Sequence, residues 1–120
     1  MTDKRPIPAD RSLLALELWN KRMRVAIRPL LTNEVISEHG RDPLGHHSDA
    51  LKRVLNYFRR STALTPYAVI CTRPFAQWRV ARLSGLPATA PTFVDQRTFT
   101  SEAEAVHALF LLRVDEAMRD

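Results

Sequence analysis

Residues 101–114, SEAEAVHALFLLRV, carry the clearest structural signal in the chain. Ser101 is followed three residues later by Glu104, the capping-box arrangement that begins a helix. After this start the segment is apolar on almost every side, with His107 and Arg113 as the polar exceptions. A single core-facing stripe needs fewer apolar residues than this. We therefore predict a long C-terminal apolar helix that is either central in its own domain or covered on one side by another molecule.

An amphipathic helix is expected near the N-terminus, with Ser12 as its N-cap. Pro29 cannot donate a hydrogen bond to the carbonyl of Val25, so this helix should kink or end there. The apolar side chains that predict it recur at offsets of three, four and seven residues: Leu16, Trp19, Met23, Ala26, Ile27 and Leu30.

Two further helices are predicted before the middle of the chain. A short helix from Asn33 to His39 should stop at Gly40, and the sequence Asp-Pro-Leu-Gly at 42–45 indicates a turn. Ser48 is predicted to cap the next helix. The apolar stripe of that helix consists of Leu51, Val54, Leu55 and Phe58.

The composition changes to strand-forming residues beyond Pro66. Residues 67–72 and 77–83 are predicted to form the two strands of a β-hairpin, and a short third strand is considered near Phe93. Cys71 lies in the first of these strands, where we expect a buried thiol that packs as a small apolar side chain.

The length of 120 residues and the apolar fraction of 45% suit one domain with one core. We predict an α+β fold, a mostly helical small domain with one β-hairpin and the long C-terminal apolar helix. Residues 1–11 are expected to form a flexible N-terminal arm, and residues 12–120 the single domain. The N-terminus lacks the apolar run of a signal peptide and no stretch is long enough to cross a bilayer, so the cytoplasm is the expected location.

The net charge of +5 would attract anions. Basic residues are, however, interspersed with acidic residues along the whole chain instead of forming one dense block, which argues against nucleic acid as the partner. A stand-alone basic module that binds nucleic acid or another polyanion remains the alternative function.

The residues that could carry chemistry are few. His39, His46, His47 and Cys71 match none of the usual zinc-binding spacings. His107 could act as a general base, but one histidine on an apolar helix is more commonly a structural residue. There is no paired-carboxylate motif, serine elbow or phosphate-binding loop. We expect no catalytic, cofactor-binding or metal-binding residue in this chain, and an independent enzyme that uses His107 is the weakest alternative.

Two runs of sequence, LKRVLNYFR at 51–59 and EAVHALFLLR at 104–113, resemble the small (alpha) subunit of N,N-dimethylformamidase. The Glu-His pair at 38–39 and Asp-Pro-Leu-Gly at 42–45 are similar to that family's Glu-His and Asn-Pro-Phe-Gly segment. Trp-Arg-Val-Ala at 78–81 lies where the family has an aromatic-Arg-Ile-Ala strand.

This resemblance keeps its order over about residues 34–116 and implies a heteromeric amidohydrolase that cleaves an N-substituted formamide to an amine and formate. It also implies a large catalytic subunit that holds iron, whereas the small subunit supplies structure. We accordingly expect this chain to be inactive alone and to form a hetero-oligomer with such a large subunit. The candidate interface residues are Phe110, Leu111, Leu112, Arg113, Tyr57 and Arg59.

Overall fold

The computed structural model describes residues 8–61, 66–84, 86 and 88–119, with side chains from residue 14 onward. Over these residues the fold is α+β and mostly helical, as predicted. The helices are α1 Pro8–Ile27, α2 Asn33–Arg41, α3 Asp49–Arg60 and α4 Glu102–Met118. One antiparallel sheet contains β1 Tyr67–Arg73, β2 Gln77–Arg82 and β3 Thr92–Phe93. None of the described helices is long and apolar enough to cross a lipid bilayer.

The start of α1 differs from the prediction. The helix begins at Pro8, so the assignment of Ser12 as its N-cap is wrong, and residues 8–11 of the predicted arm are helical. Proline suits the first turn because the N–H that it lacks has no intrahelical acceptor there. Residues 1–7 of the predicted arm lie outside the described part of the chain.

The junction of α1 and α2 agrees with the proline rule. α1 ends at Ile27, and Pro29 lies in the short 3₁₀ turn that follows, which confirms the predicted end. α2 begins behind Thr32, whose side chain accepts a hydrogen bond from a backbone N–H of the first turn. The helix continues through Gly40 to Arg41, so the predicted stop at Gly40 is wrong. A residue without a side chain suits this position because a Cβ here would lie 3.1 Å from the His107 ring.

The core lies where the helices meet. Ser48 caps α3 as predicted, with its hydroxyl accepting a hydrogen bond of 3.3 Å from the backbone N–H of Leu51. Three members of the predicted α3 stripe are buried, and the fourth, Leu55, packs against them from a half-buried position. The buried apolar cluster contains Ile27 of α1, Val35 of α2, Leu51, Val54, Tyr57 and Phe58 of α3, and Phe110, Val114 and Ala117 of α4.

The sheet packs against α4 from the other side. β1 and β2 pair from Tyr67 opposite Arg82 onward, which confirms the hairpin. β3 pairs with β2 through Ala81 and Phe93, which confirms the third strand. The Tyr67 hydroxyl donates a hydrogen bond to the Glu116 carboxylate of α4, so the face of β1 that carries Tyr67 is turned toward that helix.

The expectation of a buried Cys71 is wrong, because its side chain is exposed and its thiol is free. The first four residues of β1 are half-buried, whereas residues 71–73 are exposed. Burial therefore decreases toward the hairpin turn, where a two-stranded ribbon has few neighbours. Strand propensity predicted β1 correctly but carried no information on how many of its residues are buried.

Leu51 provides a test of the core, since its side chain has 0% relative exposure. Leu51→Ala should lower the free energy of unfolding by about 3 kcal/mol, because it removes buried methyl groups and leaves a cavity. Lys52→Ala, at the neighbouring exposed position, should change it by about 0.5 kcal/mol or less. Urea unfolding of both variants would measure the difference, and equal losses would contradict the assigned faces of α3.

Candidate functional site

The connection between α2 and α3 is held by polar contacts. The Glu38 carboxylate accepts hydrogen bonds from the Ser48 backbone N–H at 2.6 Å and from its hydroxyl at 2.7 Å. The hydroxyl contact, followed by the backbone contact, lowers the pKa of Glu38. His47 Nε2 donates to the Asp42 carbonyl at 2.8 Å. A Cβ at Gly45 would lie 1.8 Å from the Asp42 carboxylate, so a side chain there would displace that residue.

A pair of histidines joins α2 to α4. The Nδ1 atoms of His39 and His107 lie 2.9 Å apart, so one ring donates and the other accepts. The His39 ring is 1% exposed and stacks on Phe110, with 3.9 Å between ring centroids. Gly40 makes this approach possible, because a Cβ at that position would lie 3.1 Å from the His107 ring.

Burial keeps this pair neutral. Desolvation, with a smaller contribution from His107, lowers the pKa of His39 to about 4. Desolvation also lowers the pKa of His107. A single Nδ1–H···Nδ1 hydrogen bond requires at least one neutral ring, and two charged rings at this distance would repel each other. The arrangement is therefore a structural contact that is stable when both rings are neutral.

Of the five side chains considered for chemistry, the structure brings three together. The rings of His39 and His47 are stacked with centroids 5.9 Å apart, and His107 bonds His39 from the other helix. His46 is exposed outside this cluster, and Cys71 lies in the sheet. Among the described residues, no group of three or more histidine, cysteine, aspartate or glutamate side chains is arranged to hold a metal ion.

Three of the six candidate interface residues are buried within the chain itself. Phe110 is 2% exposed at the centre of the core. Tyr57 is 6% exposed and donates a hydrogen bond of 2.6 Å to the Asn20 side chain of α1. Arg113 is 8% exposed and donates to the Phe58 carbonyl, near the end of α3, at 3.3 Å. These side chains stabilise the junctions between helices.

The other three candidates are more accessible. Leu111 is 40% exposed, Leu112 is half-buried and Arg59 is exposed. Arg59 borders a shallow groove of about 130 Å³ between α3 and α4. The groove is lined mainly by apolar side chains, including Leu55, Phe58, Val106 and Leu109. The accessible candidates therefore lie on or near the outer surface of α3 and α4.

Sequence reasoning missed two polar side chains that link elements. Asn20 is 6% exposed and faces Tyr57 from the apolar side of α1. Arg28 donates from Nε to the Ala117 carbonyl at 2.8 Å and from Nη2 to the Arg119 carbonyl at 2.6 Å. It thereby supplies the positive charge that the last turn of α4 lacks. The available signal for Asn20 was its position directly after Trp19, among the apolar residues that predict the buried side of α1.

The fold and these contacts define a small α+β protein in which the buried side chains of Asn20, His39 and Arg113 connect its own helices. A family model for the N,N-dimethylformamidase alpha subunit matches residues 14–120. The N,N-dimethylformamidase alpha subunit of Paracoccus aminophilus is 32% identical over 116 residues, which cover 92% of this chain and 81% of that protein. The alpha subunit from an Alcaligenes species is 32% identical over 112 residues, covering 89% and 83%.

The chain therefore belongs to the N,N-dimethylformamidase alpha subunit family, which confirms the resemblance found in the sequence. The segments that carried this resemblance have structural roles. Glu38 and Gly45 shape the connection between α2 and α3, and His39 anchors α2 to α4.

The histidine pair predicts a loss of stability in mild acid. The folded pKa of His39, about 4, lies below the usual value of 6.5, so between these values the unfolded chain binds a proton that the folded chain does not. Stability from this residue is complete above about pH 6.5 and falls as the pH is lowered toward 4. We expect the free energy of unfolding to drop by about 2 kcal/mol between about pH 7 and pH 5.

Urea unfolding at the two pH values measures this effect. His39→Phe should reduce the pH dependence, because phenylalanine can still stack on Phe110 but cannot bind a proton. His46→Ala, at an exposed histidine, is the matched control and should retain the full dependence. An unchanged dependence in His39→Phe would show that another group is responsible.

Proposed function

We propose that this chain is the non-catalytic small subunit of a dimethylformamidase-like amidohydrolase. The enzyme adds water to an N-substituted formamide and releases an amine and formate. A large subunit carries the reaction and holds the iron, and this chain stabilises it within a cytoplasmic hetero-oligomer. The observation that carries the proposal is the match of residues 14–120 to the alpha subunit family, since an alpha subunit belongs to an enzyme with further subunits.

The use of the polar side chains supports a structural role. His39 and His107 bond to each other, and Glu38 bonds to Ser48, so these groups are already engaged within the chain. Over the described residues, the histidine, cysteine and carboxylate positions do not fit an iron site. The proposal accordingly assigns no step of the reaction to this chain.

The outer surface of α4 supports a contact with the large subunit. Leu111 and Met118 lie two helical turns apart on one stripe and are 40% and 55% exposed. Arg59 lies on the neighbouring helix beside the groove between α3 and α4. Exposed apolar side chains on a helix are a common feature of subunit interfaces when they lie close together.

Formate release tests the proposed roles of the two subunits. The isolated chain should neither hydrolyse N,N-dimethylformamide nor bind stoichiometric iron, because its described histidine, cysteine and carboxylate side chains form no cluster of metal-ligand type. Co-expression with the large subunit should give a complex that releases formate, and the large subunit prepared alone should melt at a lower temperature than the complex. Formate release by the isolated chain would refute the non-catalytic assignment, and equal melting temperatures would refute the stabilising role.

The contact itself can be tested at Leu111. Leu111→Asp should leave the isolated chain folded, because the side chain is partly exposed, but should weaken association by about 2 kcal/mol or more by placing a charge in an apolar contact. Leu44→Asp, at an exposed leucine in the turn before α3, is the matched control. Recovery of the complex by size exclusion, with circular dichroism of each isolated variant, measures both effects. Equal recovery of the two variants would remove Leu111 from the interface.

A further inference from the structure

The outward side of α3 is predominantly basic. Asp49, its first residue, is the acidic residue of this helix, and residues 50–60 contain neither aspartate nor glutamate. Their four basic side chains, Lys52, Arg53, Arg59 and Arg60, are all exposed. None of the four forms an ion pair with a residue in the described part of the chain. Arginines of this kind add little to the stability of their own chain but can pair bidentately with carboxylates of another molecule.

Two of these arginines border an apolar groove between α1 and α3. The groove has a volume of about 380 Å³, and its floor includes Trp19, Met23 and Leu30, all half-buried. Arg53 and Arg60 line it from α3. The described residues that line it include no carboxylate. The groove therefore combines partly uncovered apolar surface with two arginines that no carboxylate in the described part of the chain pairs with.

The spacing along α3 sets the geometry of a ligand. Arg53 and Arg60 are seven positions apart, so they lie on the same side of the helix about 10 Å from each other. The Trp19 ring packs against Tyr57 with 5.9 Å between centroids and forms part of the wall. A matching ligand would place an apolar side chain in the groove and two carboxylates about 10 Å apart at the arginines.

We propose that this groove, formed by Trp19, Met23, Leu30, Arg53 and Arg60, binds an acidic segment of the large subunit. The inference rests on the proposed function for the identity of the partner and adds the surface and the chemistry of the contact. The apolar side chain of the segment fills the groove, and its carboxylates pair with the two arginines. A buried apolar anchor surrounded by polar contacts is the arrangement that concentrates binding energy in protein interfaces.

The composition of the groove favours this partner over others. Nucleic acid is held by many phosphate contacts, whereas the described lining of this groove contains two cations and is mostly apolar. A second copy of the chain would bring another +5 charge to the same surface. An acidic polypeptide satisfies both the apolar floor and the arginines.

Charge reversal tests the proposal in the complex with the large subunit. Arg53→Glu combined with Arg60→Glu should weaken association at least about tenfold at about 50 mM salt, with a smaller difference at high salt. Arg41→Glu combined with Arg73→Glu is the matched control, because it changes the net charge equally at exposed arginines outside the groove. Circular dichroism of both double variants checks that the full chain is folded.

A zero-length cross-link identifies the occupant. Arg60→Lys keeps the positive charge and provides an amine that a carbodiimide couples to a carboxylate in direct contact. In the complex, the coupled peptide should come from an acidic segment of the large subunit, and Arg73→Lys should not capture that peptide. This second variant keeps the proposal testable even if charge reversal disturbs folding.

The outcomes separate this inference from the proposed function. If the complex forms and releases formate but the groove variant binds as tightly as the control, the groove proposal is wrong and the proposed function stands. If no complex with a formamide-hydrolysing subunit forms, both are wrong. If the groove variant instead loses salt-sensitive binding to an oligonucleotide, the groove is a polyanion site and the proposal is overturned. Selective weakening together with the expected cross-link supports it.

Discussion

The fold depends on the burial of α4 from two sides. Phe110 and Val114 pack into the cluster formed with α1, α2 and α3. Ala105 and Ala108 are also buried, and α4 contacts both β1 and β2. Small side chains allow a helix and a sheet to approach closely, whereas larger ones fill the wider space between helices.

The sequence predicted the ends of helices correctly where a single residue, such as a capping serine or a proline, marks the end. Ser48 and Ser101 cap their helices, and Pro29 lies just beyond the end of α1. The start of α1 was misplaced because Ser12 is a good cap by residue type, yet Pro8 is equally suited to a first turn. Local preference cannot choose between two acceptable first turns. In this chain α1 begins at the earlier of the two.

The contacts between elements could not be predicted in the same way. His39 and His107 are 68 residues apart, and nothing in their local sequences indicates that their rings meet. Arg28 directly follows α1 in the sequence, yet its side chain reaches the final carbonyls of α4. A helical wheel assigns a residue to a face, whereas a long side chain can pass around the helix to a distant partner. Family resemblance pointed to the Glu38-His39 segment without giving its physical role.

The sequence left open whether the C-terminal helix is central in its own domain or is covered on one side by another molecule. The structure answers part of this question. Most of its apolar side chains are covered by its own domain, as expected of a central helix, while Leu111 and Met118 stay exposed. The pattern alone could not separate these cases because burial by a sheet and burial by a partner require the same residue types. A central helix and a partner surface are therefore compatible in this chain.

Two groups of arginines on or beside the helices follow different physical rules. Arg28 and Arg113 donate to backbone carbonyls near the ends of α4 and α3, where they compensate the negative end of each helix. Arg53, Arg59 and Arg60 lie on the outside of α3, and no described carboxylate pairs with them. The first group adds polar links between helices to the packing of the apolar cluster. The second group contributes little to that task, and this is why the proposed contact with an acidic segment is assigned to the groove that Arg53 and Arg60 line.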